Sequence, residues 1–238
     1  DFKGYRPTLD HTRLEDPDYY LSWLRITTLI VLTAVTAFFT LIALFVGRER
    51  RLSPVILSYL LITGFAYLLI EVVFIAKLEL FLQNALVSMA SVISIFLIAS
   101  ALGSGTYQRV AGKLGMIWFP VLTAATTLLA AGVMHTVLPH LMGLPLIARL
   151  LLTALVIGPV GWLLGMFYPY AVSCLVRHNR HEAVPITYGI STLASVFGAS
   201  FAMTLMLEWG FMTLLVVGVC SYFLLPMMAS AKILQWDE

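Results

Sequence analysis

Long apolar stretches follow one another along this chain with only short polar breaks between them. Seven runs carry no regular polar face: residues 26–46, 54–76, 85–102, 114–134, 144–167, 186–207 and 211–229. A hydrocarbon core about 30 Å thick takes roughly 20 apolar residues at 1.5 Å per residue. Five of the runs hold no charge; the second contains Glu71 and the fifth Arg149. A buried soluble core supplies one or two such runs, not seven in series. The pattern therefore predicts an all-α, polytopic transmembrane bundle of about seven helices. A polar segment over 1–25 precedes it, the membrane domain covers 26–231, and a short tail covers 232–238.

Composition points the same way. Hydrophobic residues make up 61% and charged residues 11% of the 238 positions, where a soluble domain runs near half apolar and a quarter charged. The net charge of +2 comes without a basic run that could track phosphates, so nucleic acid is not an expected partner. The two cysteines, Cys174 in an expected loop and Cys220 in an apolar run, do not make a disulfide framework. The chain begins on Asp1 in a polar stretch unlike a signal peptide, as expected of a fragment or a processed product.

Charge placement sets an expected orientation. Arg48, Arg50, Arg51, Arg109, Lys113, Arg177, Arg180 and Lys232 follow the odd-numbered helices, whereas Lys77 alone follows an even-numbered one. Under the positive-inside rule the amino terminus lies outside and the carboxyl terminus in the cytoplasm. Four basic residues in the amino-terminal segment weigh against this assignment. Tyr19, Tyr20 and Trp23 stand where the chain meets the headgroup layer. No internal repeat is visible, and seven helices do not divide into the equal halves of many transporters.

Glu71 and Arg149 are the candidate chemistry. A charge inside a bilayer costs at least about 2.5–3.5 kcal/mol, so such side chains face a partner or a wet cavity. Each lies five residues from the outer end of its apolar run, which predicts an ion pair pinning the second helix to the fifth. The competing reading has Arg149 snorkelling to the headgroups and Glu71 solvated or protonated at the interface. Lys77, Glu79, His135, His140 and Glu208 gather on the same side, as a polar vestibule or as ordinary helix-end residues. In the sixth run Ser191, Ser195, Gly198, Ala199 and Ala202 share a face at spacings of three and four, a helix-packing signal. His178, His181 and Glu182 lack the further ligands that would complete a metal site, and no two histidines sit at matched depth for haem. No nucleophile–base–orienter set and no phosphate-binding loop is present, so the sequence supplies no catalytic, metal or cofactor residues.

Four stretches together resemble a known family. Gly64-Phe65-Ala66-Tyr67-Leu68-Leu69-Ile70-Glu71, with Lys77 and Phe81-Leu82, is similar to one helix of the bacterial polytopic spermidine-synthase-like membrane proteins. Ser100-Ala101-Leu102-Gly103-Ser104-Gly105 resembles the end of their next helix. Gly165-Met166-Phe167-Tyr168-Pro169 resembles the loop before their penultimate helix, and Tyr188 to Gly198, on to Glu208 and Gly210-Phe211, that helix itself. The likeness covers residues 60–215, and Glu15 to Tyr20 is similar to the acidic-aromatic segment that leads into these helices. It implies a membrane module that accompanies an aminopropyltransferase-like domain using decarboxylated S-adenosylmethionine. That domain has no counterpart here, so none of its cofactor-binding residues carries over. The leading expectation is a multi-pass bacterial inner-membrane anchor or scaffold subunit that docks protein partners in a larger complex. The rivals are the membrane half of a spermidine-synthase-like enzyme and a transporter of small solutes or ions built on Glu71 and Arg149.

Overall fold

The computed structural model describes residues 17–49, 54–177, 179 and 181–228. Its regular structure is entirely helical: α1 (Pro17–Glu49), α2 (Pro54–Leu82), α3 (Ala85–Thr136), α4 (Leu146–Leu164), α5 (Phe167–Arg177) and α6 (Val184–Met228). Single 3-10 turns occupy Leu138–Leu141 and His181–Ala183. A helix satisfies its own backbone polar groups, which an apolar solvent requires. The expected all-α bundle is the observed one. Five apolar stretches are long enough to cross a bilayer, and Ile26–Ile42 and Trp209–Leu225 add two shorter ones. The segments 1–16 and 229–238 lie outside the described residues, as do Arg50, Arg51, His178, Arg180 and Lys232.

The apolar runs are joined differently from the sequence expectation. α1 is described from Pro17, nine residues before its apolar run. α2 continues past Ala76 to Leu82, because Lys77 and Glu79 end an apolar pattern without ending a helix. The turn is left to Gln83, at φ 57°, and Asn84, whose side-chain oxygen accepts from the Val87 amide at 3.1 Å and caps α3. After α4, only Gly165 and Met166 separate it from α5. Cys174 therefore lies in a helix rather than a loop.

The third and fourth runs form one unbroken helical stretch, α3. A straight helix of 52 residues would be about 78 Å long, more than twice the bilayer core. Yet the Arg149 guanidinium sits 3.1 Å from the Phe81 carbonyl, beside the start of α3. The thirteen residues from Thr136 to Arg149 reach about 45 Å at most, so α3 is bent. Tyr107 and Phe119, which flank residues 111–117, line one small cavity, and Pro120 removes a ladder hydrogen bond beside them. Its two arms, Ala85–Val110 and Trp118–Thr136, are separate candidate spans. α6 is divided by Gly210, at φ 79° and ψ 178°, a conformation essentially confined to glycine.

α2 is the centre of the bundle. Leu60, Ala66, Leu69, Ile70, Val73, Phe74 and Leu78 are fully enclosed, chiefly by α6 and then by α3 and α4. Outward faces carry large apolar side chains, among them Phe45, Leu86, Ile147, Leu155 and Met212. In water that surface would be an aggregation hazard; in a bilayer it meets lipid tails.

Candidate functional site

The buried carboxyl lies on the central helix, at the end of a series of polar side chains. Tyr59, Thr63, Tyr67 and Glu71 recur every four residues, each about 40° round from the last, so they occupy a sector of roughly 120° along 18 Å of α2. Each of the first three is satisfied locally. Tyr59 donates its hydroxyl to the Phe167 carbonyl at 3.0 Å, and Thr63 bonds back to the Tyr59 carbonyl at 2.9 Å. The Tyr67 hydroxyl meets Ser100 Oγ at 3.1 Å, and Ser100 donates a hydrogen bond to the Gly161 carbonyl at 3.2 Å.

Glu71 ends this series. It is 7% exposed, and it has no hydrogen-bond or ion-pair partner among the described residues. Its helix face is set by its neighbours: Tyr67 and Phe74 both lay their rings against Phe96 of α3, at centroid separations of 6.0 and 5.8 Å. On α4, Thr153 is fully buried with its hydroxyl unpartnered.

Arg149 is elsewhere. Its Nε donates to the Leu144 carbonyl at 2.8 Å and a terminal nitrogen to the Phe81 carbonyl at 3.1 Å. Phe81 is ten residues beyond Glu71, about 15 Å along α2. The ion pair expected between Glu71 and Arg149 is therefore not formed. The cause is the extension of α2 by six residues: it leaves Glu71 deep in the span while Arg149 stays at the helix end. There Arg149 satisfies one of the final carbonyls that a helix cannot bond internally.

Of the expected vestibule residues, Lys77, Glu79, His135 and His140 make no bond to one another. Lys77 lies over the Phe211 ring at 4.1 Å, an attraction between its ammonium and the π face. Glu79, His135 and His140 are exposed, and the Glu208 side chain is outside the described set. Among the described residues no group of histidine, cysteine or acidic side chains is arranged to hold a metal. On α6, Ser195 donates to the Gly64 carbonyl at 3.1 Å and Ala202 is fully buried, while Ser191 and Ala199 are half-buried. A Cβ on Gly64 would come within 2.5 Å of the Ser191 carbonyl, and one on Gly198 within 2.6 Å of the Phe65 carbonyl. The two backbones touch only because both positions lack side chains.

Sequence reasoning missed the tyrosines. Tyr59, Tyr107 and Tyr170 line the small cavity with Phe119, Met166 and Phe167 at the end of the bundle opposite Arg149. Tyr107 reaches Ser173 Oγ at 3.2 Å, and the Tyr59 and Tyr170 rings lie 5.8 Å apart. The four-residue recurrence leading up to Glu71 was the available signal. No family model, no curated protein and no solved structure matches the chain.

Proposed function

We propose that this chain is a membrane anchor and scaffold module, similar to the helical part of bacterial polytopic spermidine-synthase-like proteins, that holds a protein partner at the inner membrane. One observation carries the reading: the four stretches on which the resemblance rests are each other's packing partners. Gly64 and Phe65 meet Ser191 and Gly198, and a Cβ on Gly165 would collide with the Ser100 backbone. Tyr67 bonds Ser100, and the Tyr168 and Tyr188 rings lie 5.9 Å apart. Segments scattered over residues 60–215 thus form one core, as expected of a module retained as a unit. The basic residues after alternate helices favour an external amino terminus and a cytoplasmic carboxyl terminus.

Catalysis is assigned to the partner, because among the described residues the bundle interior offers a lone carboxyl and no acid–base or nucleophile–base pair beside it. A transport reading that joins Glu71 to Arg149 loses its geometric basis, since about 15 Å of helix separates them.

Purification of the natural gene product from its own membrane in mild detergent, with crosslinking and mass spectrometry, tests the proposal. A companion at fixed stoichiometry, or an aminopropyltransferase-like domain continuous with the chain, is the expected result. A monodisperse bundle without a companion would remove the scaffold role.

A further inference from the structure

The unpartnered carboxyl of Glu71 has a consequence separate from anchoring. It lies about 26 Å along α2 from Pro54 and about 16 Å from Leu82, between Tyr67 and Phe74, whose rings both pack on Phe96 of α3. Neither of the cations on the facing ends pairs with it: Arg149 is held by the Leu144 and Phe81 carbonyls, and Lys77 by the Phe211 ring. The other titratable groups on the packed helices include Tyr59, Tyr67 and Glu79 on α2, Tyr107, Arg109 and His135 on α3, Tyr168, Tyr170, Cys174 and Arg177 on α5, and Tyr188, Cys220 and Tyr222 on α6. None bonds Glu71. An uncompensated charge at this depth is strongly disfavoured, so the carboxylate needs a small cation from outside. A metal ion calls for several oxygen ligands in one shell. Among the described residues no group of histidine, cysteine or acidic side chains is placed to supply that shell, and the Tyr67 and Ser100 hydroxyls are already engaged with each other and with the Gly161 carbonyl. Only a proton fits.

We propose that Glu71 is an exchangeable proton site inside the membrane. The carboxyl releases its proton to water at the tyrosine-lined end of the bundle and regains it from there. Tyr67 and Tyr59 mark the polar side of α2 that leads to that end, where Tyr107 and Tyr170 line the cavity. No bond other than the carboxyl O–H breaks or forms, and the balance needs no co-reactant.

A lipid-soluble carbodiimide tests this, because it adds to protonated carboxyls reached through the hydrocarbon phase. The intact protein is embedded in nanodiscs, treated, and mapped by peptide mass spectrometry. One adduct is expected, on Glu71, and its formation should be lost as the pH is raised. Glu71→Gln should abolish it with the helix content unchanged; if that variant does not fold, mapping of the natural chain decides alone. Absence of an adduct on the folded chain at every pH would overturn the proposal. Protection by sodium ions at constant pH would overturn it too, since the site would then hold a metal ion.

Discussion

Arg149 shows how one side chain fixes the relation between two helices. Its two acceptors are carbonyls at a turn and at a helix end, where the backbone has no internal partner. Hydrogen bonds from a charged donor contribute about 1.5–3 kcal/mol. Arg149→Met should therefore lower stability by roughly that amount, read from denaturant unfolding in nanodiscs, and Arg149→Lys should lose less because it keeps one donor. Combined with Glu71→Gln, the Arg149→Met change should add with no coupling. A coupling above about 1 kcal/mol would mean that the two side chains interact after all. The identities of both residues were legible in the sequence, as any intramembrane charge is. Their partners were not. A six-residue error in the end of α2 moves a side chain about 9 Å in depth, and the apolar pattern stops at Lys77 because a long charged side chain reaches out of the membrane while its backbone stays helical.

At the level of elements, glycines set the helix spacing. A Cβ on Gly103 would collide with the Trp162 carbonyl of α4, whereas one on Gly105, two residues on, meets open space. Gly103→Ala should destabilise the bundle by about 1–3 kcal/mol, as overpacking does. Gly105→Ala should be neutral or stabilise by up to about 1 kcal/mol, because alanine is the better helix former. Thermal unfolding of the two variants side by side checks the contrast, and equal shifts would contradict the packing. Small residues on α6 announced a contact face in the sequence by their spacing, but not that α2 was the neighbour. The joins were the least legible feature. The sequence breaks at Arg109 and Lys113 read as a loop, yet the backbone between the two arms of α3 stays helical while the helix bends. Gly165 and Pro169 read as a longer loop than the two residues that separate α4 from α5.

Across the whole molecule, the tyrosine-lined cavity and Arg149 mark two opposite ends. Tyr59 and Phe81, which mark the tyrosine-lined end and the Arg149 end, are 22 residues apart on α2, about 33 Å, close to the thickness of a hydrocarbon core. Exposed apolar side chains cover the faces between them. Both the fold class and the membrane setting follow from hydropathy and length, because lipid admits so few backbone solutions. The Glu71 site was only half legible: the carboxyl stood out, and the tyrosines below it were indistinguishable from ordinary aromatic packing until α3 and α5 came against them. The central claim, that this bundle spans a bilayer from one end to the other, is tested by cysteine accessibility in sealed vesicles. With Cys174 and Cys220 replaced by serine, single cysteines are placed at Gln83 and His140 at one end, and at Arg109 and Arg177 at the other. All four positions are exposed. An impermeant maleimide added outside should label one pair and leave the other until the vesicles are opened. Equal labelling of both pairs from the same side would contradict the account.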